Sequence, residues 1–231
     1  WVFVEAVGVA SFVLVASRRE VGGLEGAFKY LLLSAVASAL MLAGVAMLLM
    51  AAGNTTFAAV GAAVQAGDLF PVGLAAVLFL TGLFVKGGVV PFHGWLPDAY
   101  TEAPPAVTVL LAGIVTKVGG VYTLVRLATG VFQPMPWLDT LLLSLGTVSI
   151  FVGALAALPQ KDMKRMLAWS SVSQVGYIVL ALGAMTPLGI AGAVFHLFNH
   201  AVFKTQLFVN AAAVEAATGT RDMDRMGGLS V

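Results

Sequence analysis

The stretch HLFNHAVFK places His196, His200 and Lys204 four residues apart. On a helix a step of four drifts by only about 40°, so the three side chains form one polar stripe. Imidazole exchanges protons near neutral pH, and an ammonium withdrawn from water gives up its proton more readily. With bridging water, such a stripe is suited to passing protons along a helix. Two other readings stay open. His pairs four apart can bind a metal or haem iron, although Lys204 opposes a cation and no carboxylate lies within a turn. Alternatively the stripe is purely structural and joins helices by hydrogen bonds. The remaining residues of this kind are Glu5, Lys86 and Lys117. Glu5 can pair with either Lys, and breaking such a pair would leave the Lys in apolar surroundings, where it sheds its proton. The pair would then act as a switch, whereas a static ion pair that fixes helix packing is the plainer alternative.

All six residues lie inside long apolar runs. Of 231 residues 60% are hydrophobic and 10% charged, with mean hydropathy +0.98, against roughly 25% charged in soluble domains. That composition excludes a soluble globular fold. Twelve Lys/Arg and eleven Asp/Glu give a net charge of +1, and they sit between apolar runs without forming a basic face, so nucleic acid is not an expected partner. Without cysteine the chain holds no disulfide, thiolate-bound zinc or iron–sulfur cluster, and electron transfer would belong to another polypeptide. Trp1 stands in an apolar run with no initiating Met, basic n-region or cleavage site, which reads as a piece of something longer without a signal peptide.

A helix needs about 20 apolar residues to cross a bilayer. About seven runs qualify, near 1–17, 27–52, 70–92, 105–131, 137–158, 165–184 and 187–216. They are long and do not alternate, which excludes a β-barrel. The expected fold is an all-α polytopic transmembrane bundle, one integral-membrane domain over 1–231, with residues 55–67 forming a short surface helix or loop. Basic residues follow the first run (Arg18, Arg19, Lys29), the fifth (Lys161, Lys164, Arg165) and the seventh (Arg221, Arg225); only Arg126 lies near the loop after the fourth. The three basic loops all follow odd-numbered runs and share one side. The retention of Lys and Arg in the cytoplasm assigns that side, which puts Trp1 outside.

Helix rise places Glu5, Lys117 and His200 roughly 18–20 Å from a helix end, near the bilayer middle. A Lys or Asp there costs about 2.5–3.5 kcal/mol, so these groups are expected to face inward. The third run is interrupted by Lys86-Gly87-Gly88, Pro91 and the segment PFHGWLPDAY before Pro104-Pro105, and reads as a discontinuous helix. Carbonyls freed by such a break are tolerated only against protein or a cavity, where transporters place ion sites. A packing kink with Lys86 snorkelling outward is the alternative. His93, Asp98 and Glu102, in the loop-like PFHGWLPDAYTEAP, are expected to be interfacial or capping. Ser170, Ser171, Ser173 and Gln174 could wet the interior or satisfy neighbouring helices, and Glu215 is expected to snorkel to the cytoplasmic end. No P-loop, HExxH, GxSxG or strand-preceded GxGxxG pattern is present.

The strings VKGGVVPFHGWLPDAYTEAPPAVTVLLAGIVTKVGGVYTLVR, KDMKRMLAWSSVSQVGY and HLFNHAVFKTQLFVNAAAVE resemble the antiporter-like proton-translocating subunits shared by respiratory complex I (NADH:quinone oxidoreductase), Mrp-type Na⁺/H⁺ antiporters and membrane-bound hydrogenases. The first is the most specific, because it carries a broken-helix Lys, a PFHxWLPDA loop and a second-helix Lys in order. The resemblance covers nearly the whole chain. It implies a bundle of about fourteen spans built from two inverted five-helix repeats, of which this chain would be the fifth to eleventh. Residues 1–131 would belong to the first half-channel, and 137–231 would begin the second repeat with its central polar helix. It further implies that Glu5 pairs with Lys86, that Lys117 is the next helix's Lys, and that His196, His200 and Lys204 form the central axis linking two half-channels. Lys164 resembles a Lys at the start of the preceding helix, and His93 lies within the PFH motif.

What the resemblance implies for function is movement of H⁺ or Na⁺ as one membrane subunit of a multi-subunit complex in a prokaryotic inner membrane. The drive would come from redox chemistry in partner subunits or from a sodium gradient, with no cofactor or metal of this chain's own. The segment VNAAAVEAATGTRDMDRMGGL is nearer to the hydrogenase and Mrp branches, and all three branches stay open. The rival from another class is a non-conducting scaffold subunit whose buried charges hold helices together.

Overall fold

The computed structural model describes residues 2–54, 56–66, 69–132 and 135–227, apart from the side chains of residues 18, 69 and 70. Trp1, the Thr55 and Gly67 ends of the expected 55–67 segment, and the Arg18 side chain lie outside what is described. The described residues are helical: α1 (Val2–Val15), α2 (Val21–Ala52), α3 (Phe57–Gln65), α4 (Leu69–Gly87), α5 (Trp95–Glu102), α6 (Pro105–Leu110), α7 (Thr123–Gly130), α8 (Leu138–Ala157), α9 (Met163–Gly183) and α10 (Pro187–Thr218). Two π-helical segments, Leu111–Val115 and Lys117–Tyr122, join α6 to α7 as one continuous rod.

Local chemistry sets the helix ends. The side chains of Thr56, Asp162 and Thr186 cap α3, α9 and α10 by accepting from backbone N–H groups of the first turn, and Pro105 and Pro187 stand where a missing N–H costs nothing. The interruption expected after Lys86 is present. The helix α4 stops at Gly87, Gly88 takes φ +71°, and a turn leads into α5. The segment Trp95–Glu102 is helical, which corrects the loop expected there. Lys29 also lies on a helix and not in a loop, because α2 begins at Val21, ahead of the expected 27.

Four helices among the described residues are long and apolar enough to cross a membrane: Val21–Ala52, Pro105–Gly130, Leu138–Ala157 and Met163–Gly183. The others fall short for different physical reasons. The helix α1 has 14 residues, the apolar part of α4 spans Pro71–Gly87, and α10, at 32 residues, is diluted by its own polar stripe. The chain is an integral membrane protein with an all-helical fold.

Two apolar cores flank the break in α4. One gathers Leu80, Leu83, Phe132, Leu138 and Ile178; the other is centred on α5, with Trp95, Leu96 and Tyr100 against Leu111, Val172 and Phe208. At the end carrying the basic loops, ion pairs tie the helices together. Asp98 of α5 meets Lys29 at 2.7 Å and Arg165 at 3.1 Å, while Arg221 reaches Asp162 at 3.2 Å and Glu102 at 3.9 Å. Asp98 and Glu102 therefore act as interfacial anchors. Lys161 pairs with Asp224, whose hydrogen bond holds the exposed ammonium above its ordinary pKa.

Candidate functional site: a buried row of ionisable groups

Lys86 is the penultimate residue of α4, where the backbone leaves the helix. The break is satisfied by protein groups. The Val85 carbonyl accepts from Gly88 N–H at 3.2 Å and from the Trp95 indole N–H at 2.8 Å, Phe84 O accepts from Val89 N–H at 2.9 Å, and Val90 N–H donates to the Ser149 hydroxyl at 3.1 Å. The Lys86 ammonium points into the bundle and does not snorkel outward. Its Nζ lies 3.1 Å from Glu5 Oε1 and donates to Ser34 Oγ at 3.2 Å. Of the two lysines that composition left available to Glu5, the fold selects Lys86. The Glu5 contact is an ion pair without an aligned hydrogen bond on Oε1, and Ser38 donates to the other carboxylate oxygen.

Ser34 and Ser38 are additions that the sequence reading missed. Their signal is two hydroxyls four residues apart in the otherwise apolar LLLSAVASALML, but nothing local indicates which helix they face. Between Lys86, Tyr30, Gly8, Val115 and Gly119 lies a cavity of about 20 Å³, room for roughly one water.

Lys117 opens the second π segment and is 3% exposed. Two glycines hold its helix between neighbours. At Gly120 a Cβ would stand 2.5 Å from the Gly87 nitrogen, and at Gly113 it would collide with the Thr205 hydroxyl of α10. The helix carrying Lys117 is thus pressed against the broken end of α4 on one side and against α10 on the other. π-turns cluster where function displaces helix geometry, and no residue type signals one in advance.

On α10 the stripe is formed as expected. His200 is fully buried and Lys204 is 1% exposed, whereas His196 is only partly buried. The two imidazoles lie 6.1 Å apart and are nearly parallel at 12°. Lys204 Nζ donates to the Leu167 carbonyl at 2.9 Å and to Ser170 Oγ at 2.5 Å, tying α10 to α9. Ser171 satisfies the Leu167 carbonyl on its own helix. Both His200 nitrogens and His196 Nε2 are buried without a protein hydrogen-bond partner. Lys117, His200 and Lys204 lie within electrostatic reach of one another, so two helices, α10 and the one that carries Lys117, bring basic groups to one place. No cluster of three or more His, Asp or Glu that could hold a metal ion forms among the described residues.

Lys164, in the first turn of α9, is buried and donates to Ala103 O at 2.7 Å. His93, in the turn after α4, is half-buried against Trp169 with ring centres 5.2 Å apart and its Nδ1 unpartnered. Glu215 has a buried, unpartnered Oε2, so it does not extend fully to water as expected.

Residues 1–231 match the family described as NADH:quinone oxidoreductase/Mrp antiporter, TM. The chain is 38% identical to a Na(+)/H(+) antiporter subunit of Alkalihalophilus pseudofirmus over 99% of its own length and 47% of that protein's. It is 34% identical to hydrogenase-4 component B of Escherichia coli over 99% of its length and 36% of the relative's. Among solved structures, a chain of the membrane-bound sulfane sulfur reductase, an archaeal respiratory membrane complex, superposes with TM-score 0.90 at 31% identity, covering 99% of this chain and 47% of that one. The chain therefore spans less than half the length of these relatives.

Proposed function

We propose that this chain, which belongs to the NADH:quinone oxidoreductase/Mrp antiporter transmembrane family, moves protons through its row of buried ionisable groups. In this reading the Glu5–Lys86 pair is the switch. When the pair opens, the Lys86 ammonium loses its counter-charge in apolar surroundings and gives up its proton. Water in the small cavity beside Lys86 carries the proton towards Lys117, and the His196–His200–Lys204 stripe takes it up. Lys164 supports the cytoplasmic side of the row. The carrying observation is that Lys117 is buried in a helix pressed against both the broken end of α4 and α10, so the three helices that carry Lys86, Lys117 and the stripe adjoin.

Wider features follow from the same reading. The chain crosses the membrane about seven times, α1, α4 and α10 adding to the four longer apolar helices. Residues 1–131 serve the first half-channel and 137–231 begin the second repeat. The basic end faces the cytoplasm of a prokaryotic cell, and the full-length subunit works with other membrane subunits. The transported ion is H⁺, alone or in exchange for Na⁺. A static scaffold finds support in the firm holding of Lys86 by both Glu5 and Ser34.

The experiment that separates the readings is ion flux in inverted vesicles carrying the whole parent complex, wild type against Lys86→Ala at matched assembly. Conduction through the row predicts collapse of flux while the complex remains intact. Unchanged flux at normal assembly, or loss of assembly with normal flux per assembled complex, would favour the scaffold.

A further inference from the structure

Beside Lys117 the structure holds a hydroxyl pair that the row of charged groups does not include. The Tyr100 hydroxyl, on a fully buried side chain of α5, lies 2.8 Å from Thr116 Oγ1, itself 2% exposed and adjacent to Lys117 in sequence. Both hydroxyls reach the same carbonyl, Leu111 O, at 3.1 Å from Tyr100 and 2.9 Å from Thr116. That carbonyl also accepts the Thr116 N–H, because the π segment shifts the backbone bond by one residue. Lys117 Nζ stands 3.5 Å from Thr116 Oγ1. Tyr100 is fixed from outside the pair, its ring packed edge-on to Trp95 and Phe208 at 6.3 and 5.8 Å.

Each hydroxyl has one proton to give and lone pairs to receive. Tyr100 can donate to Leu111 O or to Thr116, and Thr116 can donate to Leu111 O, to Tyr100 or to a neutral Lys117 amine. Two protons thus have more acceptors than they can fill, and the arrangement has more than one complete hydrogen-bonding pattern at the same heavy-atom positions. With Lys117 as an ammonium, Thr116 receives from Nζ and turns its own proton to Leu111 O. With Lys117 as an amine, Thr116 can donate to the nitrogen while Tyr100 donates to Thr116. In neither state is a hydroxyl proton of the pair left without an acceptor, and a buried group left unpaired is the costly event in such a site.

We infer that Thr116 and Tyr100 are positioning residues for Lys117: a rotating hydroxyl pair, anchored on the carbonyl of the π turn, that accommodates both protonation states of the amine and so lets it turn over. This inference rests on the reading of Lys117 as a proton carrier. No bond forms or breaks in the pair itself; only hydroxyl protons reorient.

The test is proton flux through the full-length subunit in its assembled complex, with four variants measured beside wild type and Lys117→Ala. Thr116→Val keeps the shape and removes the hydroxyl, and should lower flux about tenfold, the order expected for one hydrogen bond to a charged group. Thr116→Ser should restore most of it. Tyr100→Phe should lower flux less, since Leu111 O remains for Thr116. The double variant Tyr100→Phe/Thr116→Val should be no worse than Thr116→Val alone, because both act through one hydroxyl. Wild-type flux per assembled complex in Thr116→Val, with Lys117→Ala inactive, overturns the inference and leaves the conduction reading standing. Equal loss in the Val and Ser variants also overturns it, since that pattern belongs to packing. Normal flux in Lys117→Ala overturns both.

Discussion

Gly120 meets Gly87 backbone to backbone: a Cβ on Gly120 would fall 2.5 Å from the Gly87 nitrogen and 2.8 Å from the Lys86 carbonyl carbon. This single close approach fixes the distance between the broken end of α4 and the helix carrying Lys117. Gly120→Ala should therefore push the two helices apart. Overpacking of this kind costs about 1–3 kcal/mol, and the obstacle here is backbone, which gives least. Thermal unfolding of the full-length subunit should show the loss, with flux falling more steeply than stability. A variant that is stable and fully active would mean that the contact does not control the row.

Glu5 and Lys86 offer two changes that conserve size. Glu5→Gln keeps the shape and the Ser38 contact but removes the charge beside Lys86, so assembly should persist while flux drops by about a hundredfold or more, in the range assigned to a positioned proton-transfer group. Assembly is read from the purified complex and flux from vesicles; normal flux in complexes carrying Glu5→Gln would sink the switch.

Lys86→Arg keeps the charge and can keep the Glu5 ion pair, yet a guanidinium does not release its proton in a protein. A conducting Lys86 predicts an assembled, poorly conducting complex. A static Glu5–Lys86 brace predicts that Arg conducts nearly as well as Lys, and the same vesicle assay decides between them.

Asp98 binds Lys29 and Arg165 from two other helices. Both basic partners are more than one-third exposed, so solvent screening limits the effect of Asp98→Asn to about 1 kcal/mol. The melting temperature should fall modestly at low salt and the difference should shrink at high salt. A loss independent of salt would assign Asp98 a packing role instead.

Much of this protein could be read along the chain, because its main signals are local. Apolar runs of spanning length specify membrane helices wherever the chain folds. The sequence Lys86-Gly87-Gly88 with Pro91 breaks a helix through backbone chemistry alone. A repeat of four places His196, His200 and Lys204 on one face by helix geometry. The helical Trp95–Glu102 segment is hidden by its flanking prolines and glycine, which look like loop chemistry. Tertiary structure decided the rest. Glu5 meets Lys86 and not Lys117, with Ser34 and Ser38 of α2 at the same point, a meeting of residues 33 and 52 positions apart along the chain. The π turns around Lys117 have no residue code; they form where Gly113 and Gly120 let the helix close onto α10 and α4. The Tyr100–Thr116 pair lies at that shift, where both hydroxyls and the displaced Thr116 N–H meet the Leu111 carbonyl. Periodicity and composition determine which groups are buried, whereas contacts across the bundle determine which of them touch.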